Sequence, residues 1–193
     1  MLDEKKLKEM QSRVKQYMDN GLIKTKQSRE FVEFFLSNAD KSLNSANALY
    51  DLSTDKEMQT KMGYINFDGF LWVVNSCYYS MFYIVRALLE NEGIKIKSDL
   101  STHAVTFDVL VNFFYLNGKL QKKFIEDFAD AKDEASELLG KQKADQLIED
   151  YYWEKEKRAT FTYNTKEIVI KAKAQTSLER ARRFNQEIKK MIR

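Results

Sequence analysis

Proline is missing from the chain altogether. A β-rich or loop-rich fold of 193 residues would ordinarily use several, so the absence favours long, uninterrupted helices. Cysteine occurs once, at Cys77, which excludes an internal disulfide framework and any cysteine-cluster metal site. Cys77 lies in the apolar run WVVNSCYYSMF and reads as a small buried hydrophobe. Histidine also occurs once, at His103, so no H-E-x-x-H metal motif exists. A Ser-His-Asp or Cys-His arrangement would have to use His103, and no nucleophile-elbow motif accompanies it. Six scattered glycines cannot build a phosphate-binding loop. The most apolar run, Gly69 to Val85, lacks charge over 17 residues but contains Asn75, Ser76 and Ser80, so it is a marginal membrane span and a better core helix. MLDEKKLKEMQ is charged from its third residue and does not read as a signal peptide. The expected location is the cytoplasm, with no membrane association and no cofactor or metal.

What is present suits one globular domain: 44 % apolar and 32 % charged residues, with a net charge of +3. The charge is uneven. From Lys166 to Arg193 nine basic and three acidic residues give +6, which leaves −3 for the rest. A basic terminal helix suits phosphate, an acidic partner or the chain's own acidic body. Gly21, Gly93, Gly118 and Gly140 each follow a helical pattern, at the position where a left-handed residue ends a helix. The periodicity predicts helices over about Asp3 to Asn20, Ser28 to Asp51, Ile65 to Glu92, from Ser101, Leu120 to Leu139, Lys141 to Arg158, and Lys166 to Ile192. LSTDKEMQTKMGY is the one long polar connection, and RATFTYN (Arg158 to Asn164) suits a helix end. Phe31, Phe34, Phe35, Leu43 and Leu49 are the expected core face of the second helix, and the third should be the most buried. The fold expected is all-α: residues 28–193 form an up-and-down bundle and residues 1–27 a helical extension, whose stripe Leu7, Met10, Val14, Tyr17 can pack on the bundle or on a second protomer.

Three groups of polar residues draw attention. His103 follows Ser101, a good N-cap, and reads either as a solvated helix-start histidine or as a pocket residue with a near-neutral pKa. Asp127, Asp130 and Glu134 share a helical face adjoined by Asp133 and Glu137, which is either a solvated acidic face or half of a carboxylate metal site. Tyr79 and Tyr83 share a face near Arg86, as core packing or as the edge of a polar groove.

YYSMFYIVRALLENEGI (Tyr78 to Ile94), STHAV (Ser101 to Val105), EDYYWEKEKRATFTYN and AQTSLERARRFNQEI resemble, in this order, the motifs of the HEPN domain family. The resemblance covers roughly Ser28 to the C-terminus. It implies an up-and-down bundle, often homodimeric, encoded beside minimal nucleotidyltransferases and often one half of a toxin–antitoxin pair. It also implies, for the branches that are metal-independent ribonucleases, an R-x(4–6)-H motif. Arg158 aligns with the family arginine, but Tyr163 stands where those ribonucleases have histidine, and a phenol with a pKa near 10 is a poor base at neutral pH. The chain is more similar to the R-x-x-x-D-Y branch, with Thr162 in place of the aspartate. The expectation is a nucleotide- or nucleotidyltransferase-binding protein with a cleft around Arg158, Thr162, Tyr163, His103 and Tyr79. Its alternatives are a ribonuclease in which Arg158 binds RNA phosphate and His103 substitutes for the missing histidine, and a scaffold that binds an acidic partner through Arg180, Arg182 and Arg183.

Overall fold

The computed structural model describes residues 3–26, 28–97, 102–152 and 160–192, with the side chains of 141–152 and 160–169 outside the description. The helices are α1 (Glu4–Asp19), α2 (Val32–Thr54), α3 (Lys56–Met62), α4 (Phe70–Asn91), α5 (Thr102–Leu110, continued by a π-helical turn Val111–Tyr115), α6 (Lys122–Tyr152) and α7 (Thr160–Met191). Two short strands, β1 (Ile23–Thr25) and β2 (Ile94–Ile96), pair antiparallel with Ile23 opposite Ile96. The all-α bundle expected from the sequence is what is seen, with that small ribbon added.

α4 is the centre of the bundle. Every residue from Ile84 to Asn91 is buried, charged ones included. It packs on α2, α6 and α7. The register is antiparallel between α2 and α4: Ser53 Oγ accepts from Gly69 N at 2.8 Å, while Ser80 Oγ donates to the Ala39 carbonyl at 2.8 Å at the other end. α7 runs antiparallel to both α2 and α6, since Arg182 reaches Asn47 and Lys189 Asp40, whereas Arg180 reaches Glu134 and Arg183 Asp127. The result is an up-and-down arrangement of α2, α4, α6 and α7. Ala174, Leu178, Ala181, Phe184 and Ile188 of α7 are all buried, the face that its periodicity predicts.

The N-terminal segment packs on the bundle. Met10, Val14 and Ile23 join the common core. Arg13 holds the buried Asp108 of α5 through two hydrogen bonds, 2.7 Å from Nε and 2.9 Å from a terminal nitrogen.

Four expectations need correction. Phe31 and Phe34 are exposed, at 47 % and 57 %, and α2 buries Val32, Ala39, Ala46 and Ser53 instead. Those four recur every seven residues, and the small ones bring α2 close to α4. The polar connection contains α3, capped by Asp55 and ended by Gly63 at φ 74°. Gly140 does not end a helix, because α6 continues through it; the left-handed glycines are Gly21, Gly63, Gly93 and Gly118. α7 starts at Thr160, earlier than Lys166, and includes Asn164.

Candidate functional site

His103 lies in the first turn of α5, over the face of α4 that carries Tyr78, Tyr79 and Phe82. Phe82 neighbours both tyrosines because it is four positions from Tyr78 and three from Tyr79, the spacings that share a helical face. The imidazole sits 4.3 Å from the Phe82 ring centre, tilted by 31°, and 5.7 Å from Tyr79, edge to face. Tyr78 Oη lies 2.6 Å from His103 Nδ1. Burial, and to a lesser degree the neighbouring Tyr79 and Asp133, raise the Tyr78 phenol, so it keeps its proton. Burial first, then Lys132 and Arg86, lower the His103 pKa and favour the neutral ring. Both shifts favour an uncharged phenol beside an uncharged imidazole, and the direction of the hydrogen bond between them follows the tautomer of the ring.

The cluster extends in two directions. Inward, Tyr78 stacks on Phe128, and Phe128 on Phe184. Outward, Tyr79 meets Tyr83, and Tyr83 stacks on Phe35 at 6.3 Å. The Arg86 guanidinium lies 4.9 Å over the Phe35 ring. Arg86 is buried, and that burial lowers its pKa against the opposing pull of Glu90. A guanidinium stays charged through such a shift. The site therefore offers a neutral imidazole, a half-buried phenol at Tyr79 and a partly desolvated cation.

Of the residues singled out from sequence, His103 and Tyr79 are brought together. Arg158 lies outside the described residues, as does Ser101. Thr162 and Tyr163 fall in the first turn of α7, with side chains outside the described set. Sequence reasoning missed Phe82 as the shelf for the imidazole; its spacing of four from Tyr78 was the available signal. Cys77 is 1 % exposed, as its apolar surroundings suggest.

The acidic face of α6 has its counter-charges in α7. Arg180 pairs with Glu134 at 2.8 and 3.1 Å, Arg183 with Asp127 at 2.9 Å and Lys173 with Glu137 at 3.7 Å. Among the described residues no group of three His, Cys, Asp or Glu side chains is placed to hold a metal ion. Nor is any helix among them long and apolar enough to cross a membrane. In comparisons with known proteins, the chain matches no family model, no curated protein and no solved structure.

Proposed function

We propose that the chain is a HEPN-type bundle that binds a nucleotide-like ligand or a minimal nucleotidyltransferase, as one component of a toxin–antitoxin-like pair, and that it does not cleave RNA. The observation that carries this reading is the bond between Tyr78 and His103. In this reading Tyr78 is the donor, which occupies Nδ1 of the chain's single imidazole and leaves the ring proton on Nε2. A ring so held is a hydrogen-bond donor and a stacking surface, and a poor proton acceptor. Tyr163 in the motif position points the same way. The tyrosine-pair segment and the T-H segment meet in one cluster, which supports the resemblance on which the reading rests.

The scaffold alternative gains less support, because Arg180, Arg182 and Arg183 each have a partner within the bundle. The homodimer that the resemblance implies belongs to this proposal.

The test is an RNA-cleavage assay in EDTA on the wild type and on Arg158→Ala, run beside size-exclusion with light scattering of the chain mixed with a minimal nucleotidyltransferase. The expected result is no cleavage by either protein and a stable complex. Metal-independent cleavage that disappears in Arg158→Ala would replace the binding reading with the ribonuclease one.

A further inference from the structure

The start of α2 and the second half of α4 share a surface on which rings lead from solvent down to a cation. Phe31, at the N-cap of α2, and Phe34, in its first turn, are both exposed. Their rings meet edge to face at 6.5 Å, and Phe34 meets Phe35 at 5.3 Å. Phe35 lies under the Arg86 guanidinium, at 4.9 Å, and stacks on Tyr83. Lys95 closes the edge beside Phe31, its ammonium 5.8 Å from that ring.

Arg86 is the unusual member. It is only 9 % exposed. A guanidinium taken out of water is normally paired, because the lost hydration is costly. Glu90, one turn further along α4, has the spacing of an ordinary partner. Its carboxylate is bonded to Lys95 instead. Among the described residues no hydrogen bond or ion pair reaches Arg86; what it has is the Phe35 face and the longer-range pull of Glu90. Nor is it sealed in. The partnerless side-chain atoms closed to solvent, among the described residues, are oxygens of Asn75, Asn91, Thr106 and Asn185, and no Arg86 nitrogen. The guanidinium edge therefore still meets solvent. Two independent observations coincide here: large rings left in water, and a nine-tenths buried cation left without an acceptor. Exposed apolar surface marks contact sites, and aromatic rings around an arginine are the composition of an interface centre.

We infer that this surface docks an acidic, apolar segment of a partner protein, with one carboxylate of that segment on the Arg86 guanidinium edge and a neighbouring apolar side chain over Phe31 and Phe34. Charge decides the occupant. Arg86 and Lys95 stand against one carboxylate, Glu90, which leaves a single positive charge to neutralise. A carboxylate carries one charge and matches the planar fork of a guanidinium. Glu90 nearby disfavours a dianion. The inference shares Arg86 with the His103 cluster but does not rest on the function proposed for it.

The experiment is an NMR titration of the full chain with two blocked peptides, Ac-AFELA-NH2 and Ac-AFQLA-NH2, and with AMP. The glutamate peptide should bind roughly tenfold more tightly than the glutamine peptide, with shifts confined to the start of α2 and to α4 around Arg86. It alone should raise the His103 pKa, because Arg86 is one of the charges that lower it. Arg86→Met should bring the two peptides to one affinity, and Phe34→Ser, at an exposed position, should weaken both. Arg86→Met should also melt at or above the wild-type temperature, since it removes a buried charge that the bundle does not pair and leaves a side chain that packs on rings. A lowered melting temperature or a failure of that variant to fold would make Arg86 a structural residue and overturn the inference. So would equal affinity of the wild type for both peptides. AMP binding where neither peptide binds would overturn it too, and leave the nucleotide reading intact. Self-association of the wild type that Phe34→Ser abolishes in light scattering would give the surface to a second copy of the chain instead.

Discussion

Replacing Tyr78 by phenylalanine removes one oxygen and little else. The ring keeps its stacking on Phe128, at 6.1 Å, and its contact with Phe82, at 6.4 Å. What is lost is the 2.6 Å hydrogen bond to His103. An acceptor left unsatisfied inside a protein costs about 1–3 kcal/mol, and a half-buried imidazole belongs in the lower half of that range. Unfolding of a domain of this size shifts by about 2–4 °C per kcal/mol, so the melting temperature should fall by about 2–8 °C. The second readout is the imidazole. A donor to Nδ1 stabilises the neutral ring, so Tyr78→Phe should raise the His103 pKa from its lowered value toward the ordinary value of about 6.5. With a single histidine in the chain, proton NMR follows that titration without assignment. A His103 pKa that stays put or falls further in the variant would mean that the imidazole is the donor, and the binding argument built on its neutral state would go with it.

The same lowered pKa gives stability a pH dependence: the unfolded chain takes up the proton more readily, so the contribution of His103 is fully present above about pH 6.5 and declines as pH falls through that value toward the lower folded one. Urea unfolding at pH 7.5 and 5.5 should show the loss in the wild type, and a much smaller one in His103→Gln. Gly140→Ala should stabilise the protein by about 1 kcal/mol, because Gly140 is helical and an added Cβ there meets nothing within 4 Å; a thermal melt that moves down would contradict the continuous helix. Arg13→Ala should destabilise by about 2 kcal/mol or more in a denaturant titration, since it strands Asp108, whose side chain is 6 % exposed, and Asp108→Asn should recover part of that loss in the Arg13→Ala background. Burial pushes the Cys77 thiol up to about 12, so a thiol reagent at pH 8 should modify the native protein only as fast as it unfolds; labelling within seconds would show that Cys77 is open to solvent.

Much of the bundle was legible because two helices advertise themselves. α4 is apolar nearly all round, and the Ala174, Leu178, Ala181, Phe184 stripe of α7 has a clear helical period. α2 misled for a physical reason. Its seam is made of a valine, two alanines and a serine, and the large rings of Phe31 and Phe34, which any hydrophobicity count favours, flank the seam in solvent. Gly140 misled because a helix tolerates an exposed glycine at modest cost when flanking turns hold it. The strands were too short, at three residues each, to show a period. At the His103 cluster the sequence supplied the residues but not the hydrogen bond, which depends on Tyr78 being buried beside the ring.

α1 and β1 form a clasp. They meet the rest of the chain through α5 with its π turn and through the β1–β2 ribbon, while α2, α4, α6 and α7 contact one another without them. Such a unit opens on its own in native-state hydrogen exchange, at a free energy below that of global unfolding.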